Sequence, residues 1–291
     1  MVTDPAARGE SSRSGAAAAP PAPSGAAPRP ARRRRRGTKA VLGALGVLGF
    51  MATWELASRL ELVNPKYLPP FTETAARLVV ELGKERFWSA LGDTLVTWAL
   101  GLAIATLAAI LAGAVVGLVP FLRRATHTTV EFLRPIPSVA IIPLAILVAG
   151  LSREAALVVV VYAPFWQIFI QVLYGIGDVD TVAEDTARSF GLKRRHRLRH
   201  LVLPTALPYV ITGFRLAASI ALVLTITAEL IIKNPGLGRE IELYRAAPDA
   251  PGLYALVLVA GALGLFVNLA SRAAERRLLH WHPSVRKEEA Q

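Results

Sequence analysis

The sequence predicts an all-α integral membrane protein with six membrane-spanning helices, and three observations predict it. Several apolar runs approach or exceed the roughly 20 residues that a helix needs to cross a bilayer core. Hydrophobic residues make up 53% of the 291-residue chain and charged residues only 19%, with a mean hydropathy of +0.44, a balance that soluble domains of this size do not show. The bases, finally, are shared unequally between alternate loops, as the positive-inside rule requires of a multi-pass protein. The net charge of +12 and pI near 10.7 would suggest nucleic acid in a soluble chain; here the first question is where the charges sit relative to the spans. The absence of cysteine excludes disulfides, thiol catalysis and cysteine-ligated metals.

Residues 1–38 are Ala, Pro, Ser, Gly and Arg without apolar periodicity, which predicts a disordered basic tail. Residues 32–36 are five consecutive arginines, read either as a cytoplasmic anchor for the next span or as a patch for nucleic acid or anionic lipid. Span 1 covers about residues 40–58. No small-x-small cleavage pattern follows it and the twin-arginine export pattern fits poorly, so an uncleaved first helix is expected. In residues 59–88, Pro69-Pro70 breaks structure and Thr72 can cap a helix with apolar residues at Ala75, Leu78, Val79 and Leu82. That spacing predicts a short interfacial helix ending in a Phe87-Trp88 anchor.

Span 2, about residues 90–121, carries Gly101, Ala105, Ala109, Gly113 and Gly117 at intervals of four, the pattern for close helix packing in lipid. Span 3 follows Arg123-Arg124 and holds Pro135, Pro137 and Pro143. A kinked or broken helix is predicted there, tolerated only where other groups re-satisfy the freed carbonyls. Spans 4, 5 and 6 cover about residues 155–176, 207–232 and 253–270. Counting Lys and Arg gives nine in residues 1–39, three in 123–134, six in 177–203 and five after Ser271; the opposite side has five in 59–88, Arg153, and three in 233–245. Both termini are therefore expected in the cytoplasm.

The cytoplasmic loop between spans 4 and 5 includes EDTARSFGLKRRHRLRHLVLPTALP, residues 184–208. Residues 179–190 read as a short helix capped by Asp178 or Asp180, with acidic residues in its first turns. Gly191 stops it at a position that favours a left-handed residue. A basic run, 193–199, then approaches the membrane, and Pro204 and Pro208 bracket the re-entry into span 5.

This loop resembles the signature of ABC importer permeases, Glu-Ala-Ala, three residues, Gly, nine residues, an aliphatic, any residue, Leu-Pro. Here it reads Asp185-Thr186-Ala187, then Arg188-Ser189-Phe190, Gly191, nine residues to His200, Leu201, Val202, Leu203-Pro204. Asp185 replaces the usual Glu and Thr186 the first Ala, while Glu184 keeps the acidic character. The proline-rich stretch 133–144, Leu203-Pro-x-x-Leu-Pro208 with Gly213-x-Arg215, and Ala228-Glu229-Leu230 followed by Gly236-Leu-Gly238 are similar to the nitrate, sulfonate and taurine branch. The resemblance covers roughly residues 65–275.

It implies the type I ABC importer permease fold, with 39–275 as the permease domain (core about 89–275) between cytoplasmic tails 1–38 and 276–291. It implies a permease homodimer, two copies of a cytoplasmic ATPase, an extracytoplasmic substrate-binding protein, and surrounding membrane lipid, with no nucleic acid. Glu184, Asp185, Thr186, Ala187, Arg188, Gly191, Leu203 and Pro204 would form the ATPase-coupling segment. Pro137, Pro143, Arg215 and Glu229 are the pathway candidates. The chain carries no Gly-x-x-x-x-Gly-Lys-Ser/Thr phosphate loop, so it is expected to be a transport subunit and not an enzyme. No cofactor is expected in it; ATP and Mg would belong to the partner ATPase.

Blander readings stand beside these. The 193–199 bases can be ordinary anchors; Arg215 can stabilise the bundle; Glu229 can be a paired residue at a helix end. His196, His200, His280 and His282 offer no third ligand for a metal. As function, a small-anion importer (sulfonate, taurine or nitrate) is set against import of an uncharged or heteroaromatic compound. An ATP-independent secondary transporter and a basic-tailed membrane scaffold are the readings from other classes.

Overall fold

The structure, a computed structural model, describes residues 34–279. The expected disordered tail up to residue 33 and the tail from His280 onward, with His282, lie outside the described residues. These form helices only: α1 (Arg34–Arg59), α2 (Phe71–Leu82), α3 (Glu85–Leu118), α4 (Pro120–Leu133), α5 (Ile142–Ala149), α6 (Arg153–Gly177), α7 (Thr181–Ser189), α8 (Arg194–Arg197), α9 (Leu203–Ile232), α10 (Leu237–Ala246) and α11 (Ala250–Leu278). A 3-10 turn, Ser138–Ile141, precedes α5, and a π-helical turn, Leu198–Val202, joins α8 to α9. Five helices are long and apolar enough to cross a membrane, and α4 with residues 138–149 makes a sixth if that pair is one span bent by 85°.

The chain separates into one unit up to Phe50 and another from Met51. The described part of the first is helical and exposes Val41, Leu42, Leu45 and Leu48. In the second, α6 packs between α3 and α9. This packing is small inside and large outside, as expected where lipid is as apolar as leucine and close backbone contact drives association. Ala105, Ala109, Ala155, Ala156, Ala217 and Ala221 are fully buried, whereas Leu107, Leu111, Leu147 and Phe266 are exposed. The four-residue stripe of span 2 faces α6. A Cβ on Gly101 would come within 2.5 Å of Val160 Cγ1, and one on Gly113 within 2.8 Å of Val172 Cβ. Gly175 plays the same part between α6 and α9, where a Cβ would meet Ala206 Cα at 2.8 Å.

The breaks follow from proline. Pro120 pushes Val119 into extended backbone, which ends α3 at Leu118, three residues before the expected end. Pro137 cannot donate to the carbonyl of Leu133 four residues earlier; that oxygen accepts instead from Ile136 N at 3.2 Å and from the Tyr162 hydroxyl of α6 at 2.6 Å. This is the substitution that makes a broken helix tolerable at membrane depth.

Two expectations are corrected. Thr72 does not cap α2: Pro70 precedes the helix, and Thr72 sits in its first turn. Its N–H and hydroxyl donate to Glu55 Oε2 at 3.0 Å and Oε1 at 2.9 Å, so a carboxylate from α1 does the capping. The helix also ends at Leu82, and Phe87 and Trp88 belong to α3, where Phe87 is buried and only Trp88 is exposed. In α2 the buried positions are Thr74 and Glu81, while Val79, Val80 and Leu82 point outward. Such an inverted face suits an element whose outside is lipid. Helix α10 was not anticipated, although Leu237, Ile241 and Tyr244 recur at helical spacing.

Candidate coupling segment and pathway

The loop helix α7 forms much as its residues dictate. Asp180 caps it, Oδ1 accepting from Val182 N at 2.8 Å and Ala183 N at 3.4 Å. At the other end Gly191 adopts φ +69°; its N–H donates to Arg188 O at 2.9 Å and Leu192 N donates to Ala187 O at 3.0 Å, the Schellman closure. Glu184 pairs with Arg188 at 2.7 Å and with Arg197 of α8 at 3.4 Å, and Asp185 lies 4.0 Å from Arg188. Thr186 spends its hydroxyl on Val182 O. No residue of α7 is buried, and Val182 and Phe190 are exposed at 71% and 80%. Leu203, which is exposed, and Pro204 open α9 where the π-turn Leu198–Val202 hands over to it. Thus α7 is tied to the root of α9 through Glu184 and Arg197, and the rest of its surface is uncovered.

The four pathway candidates are not brought together. Pro137 and Pro143 begin the 3-10 turn and α5 and are exposed. Arg215 of α9 pairs with Glu275 of α11 at 2.9 Å. Glu229, in the last turn of α9, is fully buried. Its Oε2 accepts from Thr94 Oγ1 at 2.9 Å and from Gly238 N at 3.0 Å, and Thr94 Oγ1 accepts from Leu237 N at 2.8 Å. Glycine is required around it. Gly236 has φ +153°, and a Cβ there would fall 2.1 Å from Glu229 Cδ; one on Gly238 would fall 2.2 Å from Ile226 O. These contacts make Glu229 the centre of a knot joining α3, α9 and α10.

Beside the knot, Arg153 pairs with Asp93 at 2.6 Å, fastening α6 to α3. A second cluster closes α2 onto α10 and α11. Tyr244 donates to Glu81 Oε1 at 2.7 Å, Lys84 Nζ lies 2.7 Å from the same oxygen, and Arg77 reaches Asp249 at 2.7 Å. Burial alone would raise the Glu81 carboxyl; the Lys84 and Tyr244 hydrogen bonds and the neighbouring positive charges outweigh it and hold the group below its ordinary 4.5. The hydrogen bond to Glu81 raises Lys84, and burial followed by the Glu81 hydrogen bond raises the Tyr244 phenol.

Two of the cavities that open on the surface of the described residues flank α6. One, about 530 Å³, runs along α6 past Leu157, Tyr162, Phe165 and Trp166. The other, about 480 Å³, lies between α4 and α6 and is lined by Arg123, Thr126, His127, Glu131, Arg134 and Tyr174 among others. None of the four pathway candidates lines either. Sequence reasoning missed the bases of the second cavity, although Arg134 stands beside the prolines that break the span. Among the described residues no group of three or more His, Cys, Asp or Glu could hold a metal ion.

A bundle of long apolar helices with one broken pair, and an exposed capped helix between α6 and α9, fits a membrane permease component. Residues 87–280 match the family described as binding-protein-dependent transport system inner membrane component, and the chain belongs to that family. It is therefore the permease of a binding-protein-dependent importer, a multi-pass transport subunit and not an enzyme. The chain is 29% identical over 249 residues to the taurine transport system permease protein of Escherichia coli (strain K12), covering 84% of this chain and 90% of that one. It is 28% identical over 239 residues to a bicarbonate transport system permease protein of Synechococcus elongatus, covering 78% of this chain and 85% of that one. The crystal structure of a bacterial ABC transporter involved in the import of the acidic polysaccharide alginate includes a chain of the same fold, with a TM-score of 0.59 at 15% identity, covering 84% of this chain and 99% of that one.

Proposed function

We propose that this permease moves a small oxyanion, such as a sulfonate, taurine or nitrate, into the cell, and that α7 receives the drive from a separate ATPase. The observation that carries the second part is α7 itself. It is firmly capped at both ends, has no buried side chain, and connects by Glu184–Arg197 to the helix that opens α9. A rigid exposed helix at the root of a span can pass movement from a soluble partner into the bundle. Kinship with taurine and bicarbonate permeases supports the anionic cargo.

On this reading two copies of the chain enclose the pathway, two ATPase subunits bind ATP and Mg beneath them, and an extracytoplasmic binding protein delivers cargo. Residues 39–275 are the permease domain, both termini are cytoplasmic, and Asp185, Thr186, Ala187, Gly191, Leu203 and Pro204 act with Glu184 and Arg188 in coupling. The test is reconstitution with the ATPase and binding protein in proteoliposomes. Gly191→Pro, or charge reversal at Glu184 and Asp185, should leave the permease in the membrane while ATP hydrolysis no longer drives uptake. Normal coupled uptake by those variants would remove α7 from the coupling role.

A further inference from the structure

We propose that the cavity between α4 and α6 is an oxyanion site on the translocation path, with Arg134 as its mid-membrane counter-ion and Arg123 at its cytoplasmic mouth. The proposal rests on the anionic cargo and orientation given above. Arg123, His127 and Arg134 line one cavity of about 480 Å³. Arg123 and Arg134 have no carboxylate partner among the described residues, whereas His127 and Glu131, on the same wall, lie 3.5 Å apart. Many other arginines of the bundle are paired, Arg77, Arg86, Arg153, Arg197 and Arg215 among them. Each of these free guanidinium groups is a planar fork suited to sulfonate, carbonate or phosphate oxygens, and the two face one cavity at different heights.

Depth decides between cargo and a lipid headgroup of the same chemistry. The Arg123 guanidinium lies against Gly177 at the end of α6, where a Cβ would come within 3.1 Å of Nη2. Arg134 follows Leu133, whose carbonyl is held by Tyr162, well up the same helix. Eleven residues of helix rise about 16 Å, roughly half of a ~30 Å hydrocarbon core. A headgroup can reach Arg123 but not Arg134. An arginine at that depth faces protein or water, and it stands where the backbone is broken, which is tolerated beside a cavity.

The chain has no cysteine, so Arg134→Cys introduces a unique label in the assembled transporter. Two methanethiosulfonate reagents, one ending in sulfonate and one in trimethylammonium, are compared, each rate divided by its rate with a free thiol in solution. The sulfonate reagent should react about tenfold faster in these relative terms, the scale of charge focusing in a cleft, and Arg123→Gln should remove the preference. Absence of preference, or reaction only with a membrane-soluble maleimide, would overturn the site. In a second arm, taurine uptake should fall at least about tenfold in Arg134→Gln and recover in part in Arg134→Lys, with taurine affinity of the binding protein unchanged. Wild-type uptake by Arg134→Gln would also overturn it. If the unaltered transporter carries none of taurine, an alkanesulfonate and nitrate, the cargo reading falls, and the reagent comparison still judges the cavity.

Discussion

The two ends of α9 are built on opposite plans. At the C-terminal end Glu229 is fully buried, its Oε2 accepts two hydrogen bonds, and two glycines are pressed against it so closely that no side chain fits. At the N-terminal end α7 buries nothing and depends on exposed ion pairs. Buried polar groups that are hydrogen-bonded make large contributions when one partner is removed, because the other is left without water. Exposed ion pairs contribute little. The Glu229 end is thus locked by contacts within the chain, and the α7 end is left open.

That contrast can be broken most severely at Gly236. Gly236→Ala puts a methyl group into the Glu229 carboxylate on a left-handed backbone, and should cost about 3 kcal/mol or more, read as loss of detergent-stable protein or a large fall in thermal midpoint. Next comes Thr94→Val, which strips a donor from Glu229 and an acceptor from the Leu237 N–H; about 1–3 kcal/mol is expected from thermal unfolding. Acidification is gentler and selective. Glu81 is held below its ordinary 4.5, so its contribution is complete above that value and is lost as pH falls below it toward the folded value. Hydrogen exchange in α2 and α10 should rise over that range, and Glu81→Gln should flatten the change. Glu184→Lys should alter stability least, by about 0.5 kcal/mol or less. If it unfolds the bundle, the α7 end is not the open surface described.

The sequence showed the parts governed by local rules. The spans follow from apolar length, the α3 stripe from four-residue spacing, the α7 boundaries from Asp180 and Gly191, and the broken third span from its prolines. Long-range partners were not visible. Nothing local to Thr72 reveals that Glu55 would satisfy its N–H, and nothing local to Glu229 reveals Thr94, 135 residues away. Arg134 was counted only among the cytoplasmic-side bases, because any further significance is relational: it depends on which acids fail to reach it. Arg215 could be read either way until Glu275 was placed beside it.

One continuous helical stretch, Arg194–Ile232, holds 39 residues, about 58 Å of nearly incompressible rod. Were α7 to receive a drive from a partner, this stretch would act as a lever, held near one end by the Glu184–Arg197 pair and at the other, through Glu229, to α3 and α10. From the π-turn at Leu198–Val202 to Ile232 the arm is about 45 Å long, and a tilt of about 5° about that turn sweeps its tip through about 4 Å.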